Sequence, residues 1–111
     1  MNFETKKHDN ALLVCMQGRL DAASSGLVST RFNEYAAMPE PMVILDLKGV
    51  DFIDSSGLGL MVSLYRKRKE ASADVVLCNL SAQARSLFEL TRMHRVFTIH
   101  ETQEAAIRAA S

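Results

Sequence analysis

Met42-Val43-Ile44-Leu45-Asp46-Leu47, followed nine residues from its start by Asp51-Phe52-Ile53-Asp54-Ser55-Ser56-Gly57-Leu58-Gly59-Leu60, is the stretch on which the fold turns. The first run is apolar on both faces, so it reads as a strand at the centre of a sheet covered on both sides, with Asp46 its single exception. A short acidic connection, bracketed by Asp51 and Asp54, then leads into a helix whose apolar residues begin at Leu58. Ser55 or Ser56 serves as N-cap, accepting a hydrogen bond from one of the free amides of the first turn. Either way a hydroxyl is displayed where unpaired donors and the helix dipole favour an anion, which suits a phosphate there. Asp54 beside it opposes that charge. Spacing alone favours an ordinary Asp-Ser cap on a core helix, because capping serines are common, so the surroundings must decide.

Within that helix Leu58, Met61, Val62 and Tyr65 recur at i, i+3, i+4 and i+7 and form a core face. Leu60 and Leu64 make a second stripe that this face does not need; it is either further core or a partner surface. Downstream, Asp74 to Leu80 reads as a strand, Ser81 caps a helix with Ala84, Leu87, Phe88 and Thr91 on one face, and Arg92 to Arg95 closes it. Val96 to Ile99 is a short strand, and Thr102 to Ala110 an alanine-rich helix anchored by Ile107. Upstream, Phe3 to Lys7 is a weak, polar strand and Ala11 to Gln17 a strong, apolar one, joined by a turn at His8-Asp9-Asn10. The polar strand belongs at the edge, where its lysines discourage further pairing. Gly18-Arg19-Leu20-Asp21 breaks the strand; Asp21 caps a helix with Val28, Phe32 and Tyr35 on one face, which Pro39 and Pro41 end. The order β-β-α-β-α-β-α-β-α implies an α/β fold: a mixed, mostly parallel sheet of about five strands, with an antiparallel edge hairpin first, and about four helices. Sites in such sheets gather beyond the C-terminal strand ends, where Asp21 and Asp54-Ser55 are predicted to converge.

A length of 111 residues fits a single domain, residues 1–111. With 48% hydrophobic and 23% charged residues the composition is that of a soluble globular protein, and no run reaches the ~18–20 apolar residues of a membrane span. The lysines near the start lead into no signal-type apolar segment, so a cytoplasmic location is expected. Thirteen basic and thirteen acidic residues cancel, which argues against direct nucleic-acid binding. The local run Arg66-Lys67-Arg68-Lys69 reads as a solvated helix end. Cys15 and Cys78 form no C-x-x-C pair and are expected to be buried thiols. His8, His94 and His100 have no companions at ligand spacing, so neither metal nor cofactor is expected. Ile53 stands where a nucleophile elbow needs glycine, no P-loop is present, and no magnesium cluster accompanies Asp51 or Asp54. The chemistry is that of a substrate and binding module, not an enzyme.

Gly18-Arg19-Leu20-Asp21, an apolar strand, and then Phe52-Ile53-Asp54-Ser55-Ser56-Gly57-Leu58-Gly59 resemble the anti-sigma factor antagonists of the STAS domain superfamily over essentially the whole chain. The resemblance implies a STAS fold and a partner switch. The unphosphorylated form binds a serine kinase of histidine-kinase-like ATPase fold, an anti-sigma factor, and so releases what that kinase sequesters. The kinase inactivates it by phosphorylating the first serine of the block, here Ser55, and a PP2C-type phosphatase resets it. Physical reasoning does not separate Ser55 from Ser56; the resemblance makes the choice. It also implies partner contacts at Asp21, Asp54, Ser55, Ser56, Gly57 and Leu58, to which the helix pattern adds Leu60 and Leu64. Arg19 departs from the acidic residue often found there in the family, which bears on partner specificity. The main alternative is a non-switching STAS accessory subunit of a transporter or other complex.

Overall fold

The structure, a computed structural model, describes residues 1–110. Five strands, β1 (Asn2–His8), β2 (Ala11–Leu20), β3 (Met42–Ile53), β4 (Asp74–Cys78) and β5 (Thr98–His100), form one sheet in the order β1-β2-β3-β4-β5. The β1–β2 hairpin is antiparallel and the remaining pairs are parallel. Helices α1 (Ser25–Ala36), α2 (Ser55–Glu70), α3 (Ala82–Leu90) and α4 (Gln103–Ala110) complete the α/β fold that the residue pattern predicts, with the polar strand at the edge.

Two strands outrun their apolar stretches. β2 continues through Gly18 to Leu20, and β3 continues to Ile53, pairing Arg19 with Phe52 and Leu20 with Ile53 after two register shifts. The expected acidic connection is therefore strand, with Asp51 an exposed residue inside it. The extension is half-exposed: Val50 and Ile53 are buried while Lys48, Gly49 and Asp51 face solvent. That polar face disguised it. The closing segment also differs: α3 stops at Leu90, a 3₁₀ turn occupies Met93–Arg95, and β5 begins only at Thr98, with Phe97 turned into the core.

The main core lies on one face of the sheet, where Val28, Phe32 and Tyr35 of α1, Leu58, Met61 and Leu64 of α2, and Ala84 and Phe88 of α3 meet alternate residues of β2, β3 and β4. α4 covers part of the other face, over Leu13, Ile44, Val76 and Cys78. Its fully buried residue is Ala106, with Ile107 only partly buried; a methyl side chain lets this short helix approach the sheet closely. Asp46 also lies on this side, where Gln103 Nε2 (2.7 Å), Asn79 Nδ2 (3.0 Å) and the Lys48 amide (3.0 Å) all donate to its carboxylate. A buried carboxylate is thus fully hydrogen-bonded, and it ties the first turn of α4 to the centre of the sheet. Cys78 is buried as expected, and burial pushes its thiol up to about 12. Cys15 is only partly buried, although Gln103 Nε2 at the start of α4 reaches its Sγ at 3.8 Å.

Two expectations about α2 are corrected. Leu64 is 2% exposed and belongs to the core, and Leu60 is partly buried against it, because α2 rests on α1 as well as on the sheet and so needs a wider apolar face. Leu64→Ala is expected to cost about 2–5 kcal/mol of stability and Leu60→Ala less than half as much. Urea titration checks the ranking, and equal costs would refute it. Arg68, read as part of a solvated run, is instead 0% exposed. Its guanidinium donates to the carbonyls of Asp74 (3.1 Å), Met38 (3.1 Å) and Glu40 (2.8 Å), and more distantly to that of Tyr35 (3.5 Å). Burial pulls its pKa down, opposed by Glu40 and Asp74.

Candidate functional site

The ends of β2 and β3 deliver two loops side by side. Asp54, not a serine, is the N-cap of α2: its backbone is extended, and its Oδ1 accepts from the Gly57 amide at 3.0 Å. An aspartate in that place satisfies a first-turn donor and complements the dipole better than the following hydroxyls could. Its other oxygen, Oδ2, accepts from the Ala22 amide at 3.2 Å, and its own amide donates to the Leu20 carbonyl at 3.1 Å. One carboxylate therefore fastens the α2 start to the loop after β2, and the predicted convergence of Asp21 with Asp54-Ser55 is observed.

Asp21 caps the 3₁₀ turn Ala22–Ser24 in a reciprocal arrangement: its Oδ1 accepts from the Ser24 amide (3.2 Å) while the Ser24 hydroxyl accepts from the Asp21 amide (3.1 Å). Arg19 Nε reaches Asp21 Oδ2 at 3.3 Å. The Ser24 amide first, and then Arg19, hold the Asp21 carboxyl below its usual range, so it stays ionised to lower pH than a free aspartate. Arg19 also lies over the ring of Phe52, 4.2 Å from the centroid. It thereby ties the Asp21 loop to the end of β3.

Relieved of capping, Ser55 and Ser56 are the first two residues of α2, and both are exposed. Gly57 and Leu58 turn the other way and are buried. A Cβ on Gly57 would stand 2.3 Å from the Leu20 carbonyl oxygen and 2.7 Å from Leu20 Cγ, so only glycine lets the helix start this close to the end of β2. Gly57→Ala is expected to destabilise the fold by about 2–3 kcal/mol, because α2 must lift from β2 to make room. A loss below ~0.5 kcal/mol in a denaturant titration would show that the helix end yields freely. Of the other predicted contacts, Leu60 and Leu64 point toward α1 and the core and are not brought to this surface.

Sequence reasoning missed Gln83. Past Cys78 no strand accompanies β3 on its β4 side, and the Gln83 side chain takes the place of one: its Oε1 accepts from the Ile53 amide (2.9 Å) and its Nε2 donates to the Ile53 carbonyl (2.8 Å). A side-chain amide has the donor and acceptor that a neighbouring backbone would offer. The residue immediately before Asp54 is held on both sides as a result. The only signal was a glutamine two residues after the Ser81 cap, which reads as ordinary.

What results is an open surface carrying an exposed serine at a helix N-terminus, next to a carboxylate that fastens the helix start to the Asp21 loop. Among the described residues no group of histidine, cysteine, aspartate or glutamate side chains is placed to hold a metal ion, and no helix is long and apolar enough to cross a membrane. The anti-sigma-B factor antagonist of Bacillus subtilis is 26% identical over 108 residues, spanning 97% of this chain and 98% of that protein. Among solved structures, an anti-sigma factor antagonist from Mycobacterium paratuberculosis superimposes with a TM-score of 0.90 at 21% identity, covering 98% of this chain and 92% of that one. The anti-sigma factor antagonist SpoIIAA, solved in unphosphorylated and phosphorylated forms, gives TM-scores of 0.77 and 0.72 at 19% identity, covering 97% of this chain and 96% and 99% of those. The STAS domain model matches residues 2–106, which takes in the five strands, the paired loops and the Ser55 platform, and the chain belongs to the STAS domain family.

Proposed function

We propose that this protein is a phosphorylation-controlled partner switch, an anti-sigma factor antagonist with Ser55 as its phosphoacceptor. Unphosphorylated, it binds a serine kinase of histidine-kinase-like ATPase fold that acts as an anti-sigma factor, and it frees the target which that kinase holds. Phosphate on Ser55 ends the binding, and a PP2C-type phosphatase restores it. ATP and such kinases are cytoplasmic, so the switch operates there. The chain supplies a substrate hydroxyl and a docking surface, and the kinase supplies the catalytic machinery.

The observation that carries this reading is the exposed Ser55 hydroxyl on a helix start that is fastened by Asp54 to the Asp21 loop. A kinase can reach such a group without unfolding anything, and a rigid acceptor lowers the entropic cost of orienting it. Asp21, Asp54, Ser56, Gly57 and Leu58 act around it as contacts or as the frame that presents it. Incubation with ATP and each ATPase-fold serine kinase from the same genome, read by intact mass and peptide mapping, tests the proposal. One phosphate on Ser55 that Ser55→Ala abolishes and Ser56→Ala leaves in place is the expected result. Phosphate on Ser56, or none with any kinase, would overturn it.

A further inference from the structure

β1 is a long open edge. At the opposite side of the sheet β5 has three residues, whereas β1 runs for seven, Asn2–His8, without a proline and without a break in its register against β2. Its residues are exposed apart from the half-buried Phe3, and among the described residues its backbone pairs with β2 alone. An edge of that length is a template for another strand, and here only charged side chains guard it.

Those charges turn away most strands, but they match the same strand reversed. When β1 is laid antiparallel on a second copy about a two-fold axis through Thr5, its central residue, Glu4 falls opposite Lys6 of the second copy and Lys6 opposite its Glu4. Phe3 then faces Lys7, and Asn2 faces His8. Directly opposed residues in such a pair have Cβ atoms about 4.5–5.5 Å apart, close enough for unlike charges to attract. Neighbouring registers do the reverse. A slip of two residues sets Glu4 on Glu4 in one direction and Lys6 on Lys6 in the other, and a slip of one turns the core side of one copy against the outer side of the other.

The flanking surfaces agree with that register. Glu4 and Lys6 stand opposite Cys15 and Leu13 of β2, on the α4 side of the sheet, and neither has an ion-pair partner among the described residues. An open space of about 390 Å³ beside them, reaching to Gln103, leaves room for the opposing side chains. On the core side Phe3 packs against Tyr35, with ring centroids 6.3 Å apart, and is only half covered. The Lys7 side chain is 76% exposed even with Glu40 at 3.6 Å, so its aliphatic stem is free to cover Phe3 of the second copy.

We infer that β1 is a homodimerisation edge: two copies join antiparallel through their β1 strands, centred on Thr5, into one continuous sheet held by main-chain hydrogen bonds and reciprocal Glu4–Lys6 pairs. The axis is perpendicular to the sheet, so strand direction reverses between copies and the two Ser55 surfaces lie at opposite ends, both left open. A contact of one strand is small, so the dimer is weak and salt-sensitive.

Sedimentation velocity of the full chain, from about 10 μM to 1 mM, is expected to show reversible passage from monomer to dimer, with amide exchange in β1 slowing as the dimer forms. Glu4→Lys and Lys6→Glu each set like charges opposite one another twice over. Each should weaken association at least about tenfold and leave the melting temperature unchanged, because both side chains are exposed. Mixed together, the two variants should associate with each other. The double variant should regain association with itself, since its charges are exchanged, not lost. A chain that stays monomeric throughout that range would overturn the proposal. So would a dimer that both single variants retain, or a loss that neither mixing nor the double exchange restores.

Discussion

Stoichiometric phosphorylation of Ser55 is expected to weaken kinase binding by about a hundredfold or more while moving the melting temperature by less than about 5 °C. The fold tolerates the phosphate for local reasons. At the first position of α2 the ~1.5–2 negative charges meet first-turn amides that have no helical acceptor, and the dipole favours them by about 0.3–1 kcal/mol. Asp54 opposes them, yet both of its oxygens are already occupied, one by the Gly57 amide and one by the Ala22 amide, so it is fixed and cannot turn aside. The two effects are of similar size and nearly cancel. Binding has no such balance: a partner that covers Ser55 must strip the dianion of water or pair it, and an unpaired charge in a buried contact costs several kcal/mol. Ser55→Ala is expected to bind constitutively, and Ser55→Asp, with one charge, to show a partial loss. Calorimetric titration of the kinase with unmodified, phosphorylated and Ser55→Asp protein measures all three. Equal affinity for the modified and unmodified forms would refute the switch.

The largest expected loss of stability lies at the opposite end of the same helix. Arg68→Ala should cost about 3–5 kcal/mol, a drop of about 12–20 °C in melting temperature, because it leaves the carbonyls of Asp74, Met38 and Glu40 facing an unfilled space under the α1–β3 connection. Arg68→Met keeps much of the aliphatic stem and removes the donors; it should lose nearly as much, which separates hydrogen bonding from packing. Arg68→Lys should recover part, since an ammonium has donors but not a planar fork. Thermal melts of the three variants decide this, and a loss below ~1 kcal/mol in Arg68→Met would mean the fork contributes little. At low temperature the folded Arg68→Ala protein should still be phosphorylated on Ser55, as the two ends of α2 have separate supports.

The fold was legible where periodicity is strong. The continuous apolar run of β3, the alternation of strand-forming segments with helices, and the Ser81 cap all follow from residue type and spacing alone. The half-exposed ends of β2 and β3 were not legible, because Lys48, Gly49 and Asp51 look like a turn until pairing with β2 holds them extended. Arg68 and Leu64 misled for a related reason: helix patterns give a face, and only tertiary packing tells how many neighbours that face has. At the site, the nearness of Asp21 to Ser55 followed from topology, but the division of labour among Asp54, Ser55 and Ser56 did not. Any of them can cap a helix, and the extended backbone of Asp54 selects it. Gln83 was invisible because its role depends on β4 ending before β3 does.

The strand order has a consequence for what kind of ligand the platform can accept. A parallel sheet makes a deep cleft where its winding direction reverses, since successive crossovers then leave to opposite sides and part at the strand ends. Here the order advances without reversal, and the helices that join the parallel strands, α1, α2 and α3, all lie over the same core. No reversal therefore falls between the strands that carry Asp21 and Asp54, and Ser55 lies exposed beyond their ends rather than in a switch-point cleft of the sheet. A metabolite would find little to enclose it there; a second protein, whose own hollow supplies the enclosure, finds a key already cut.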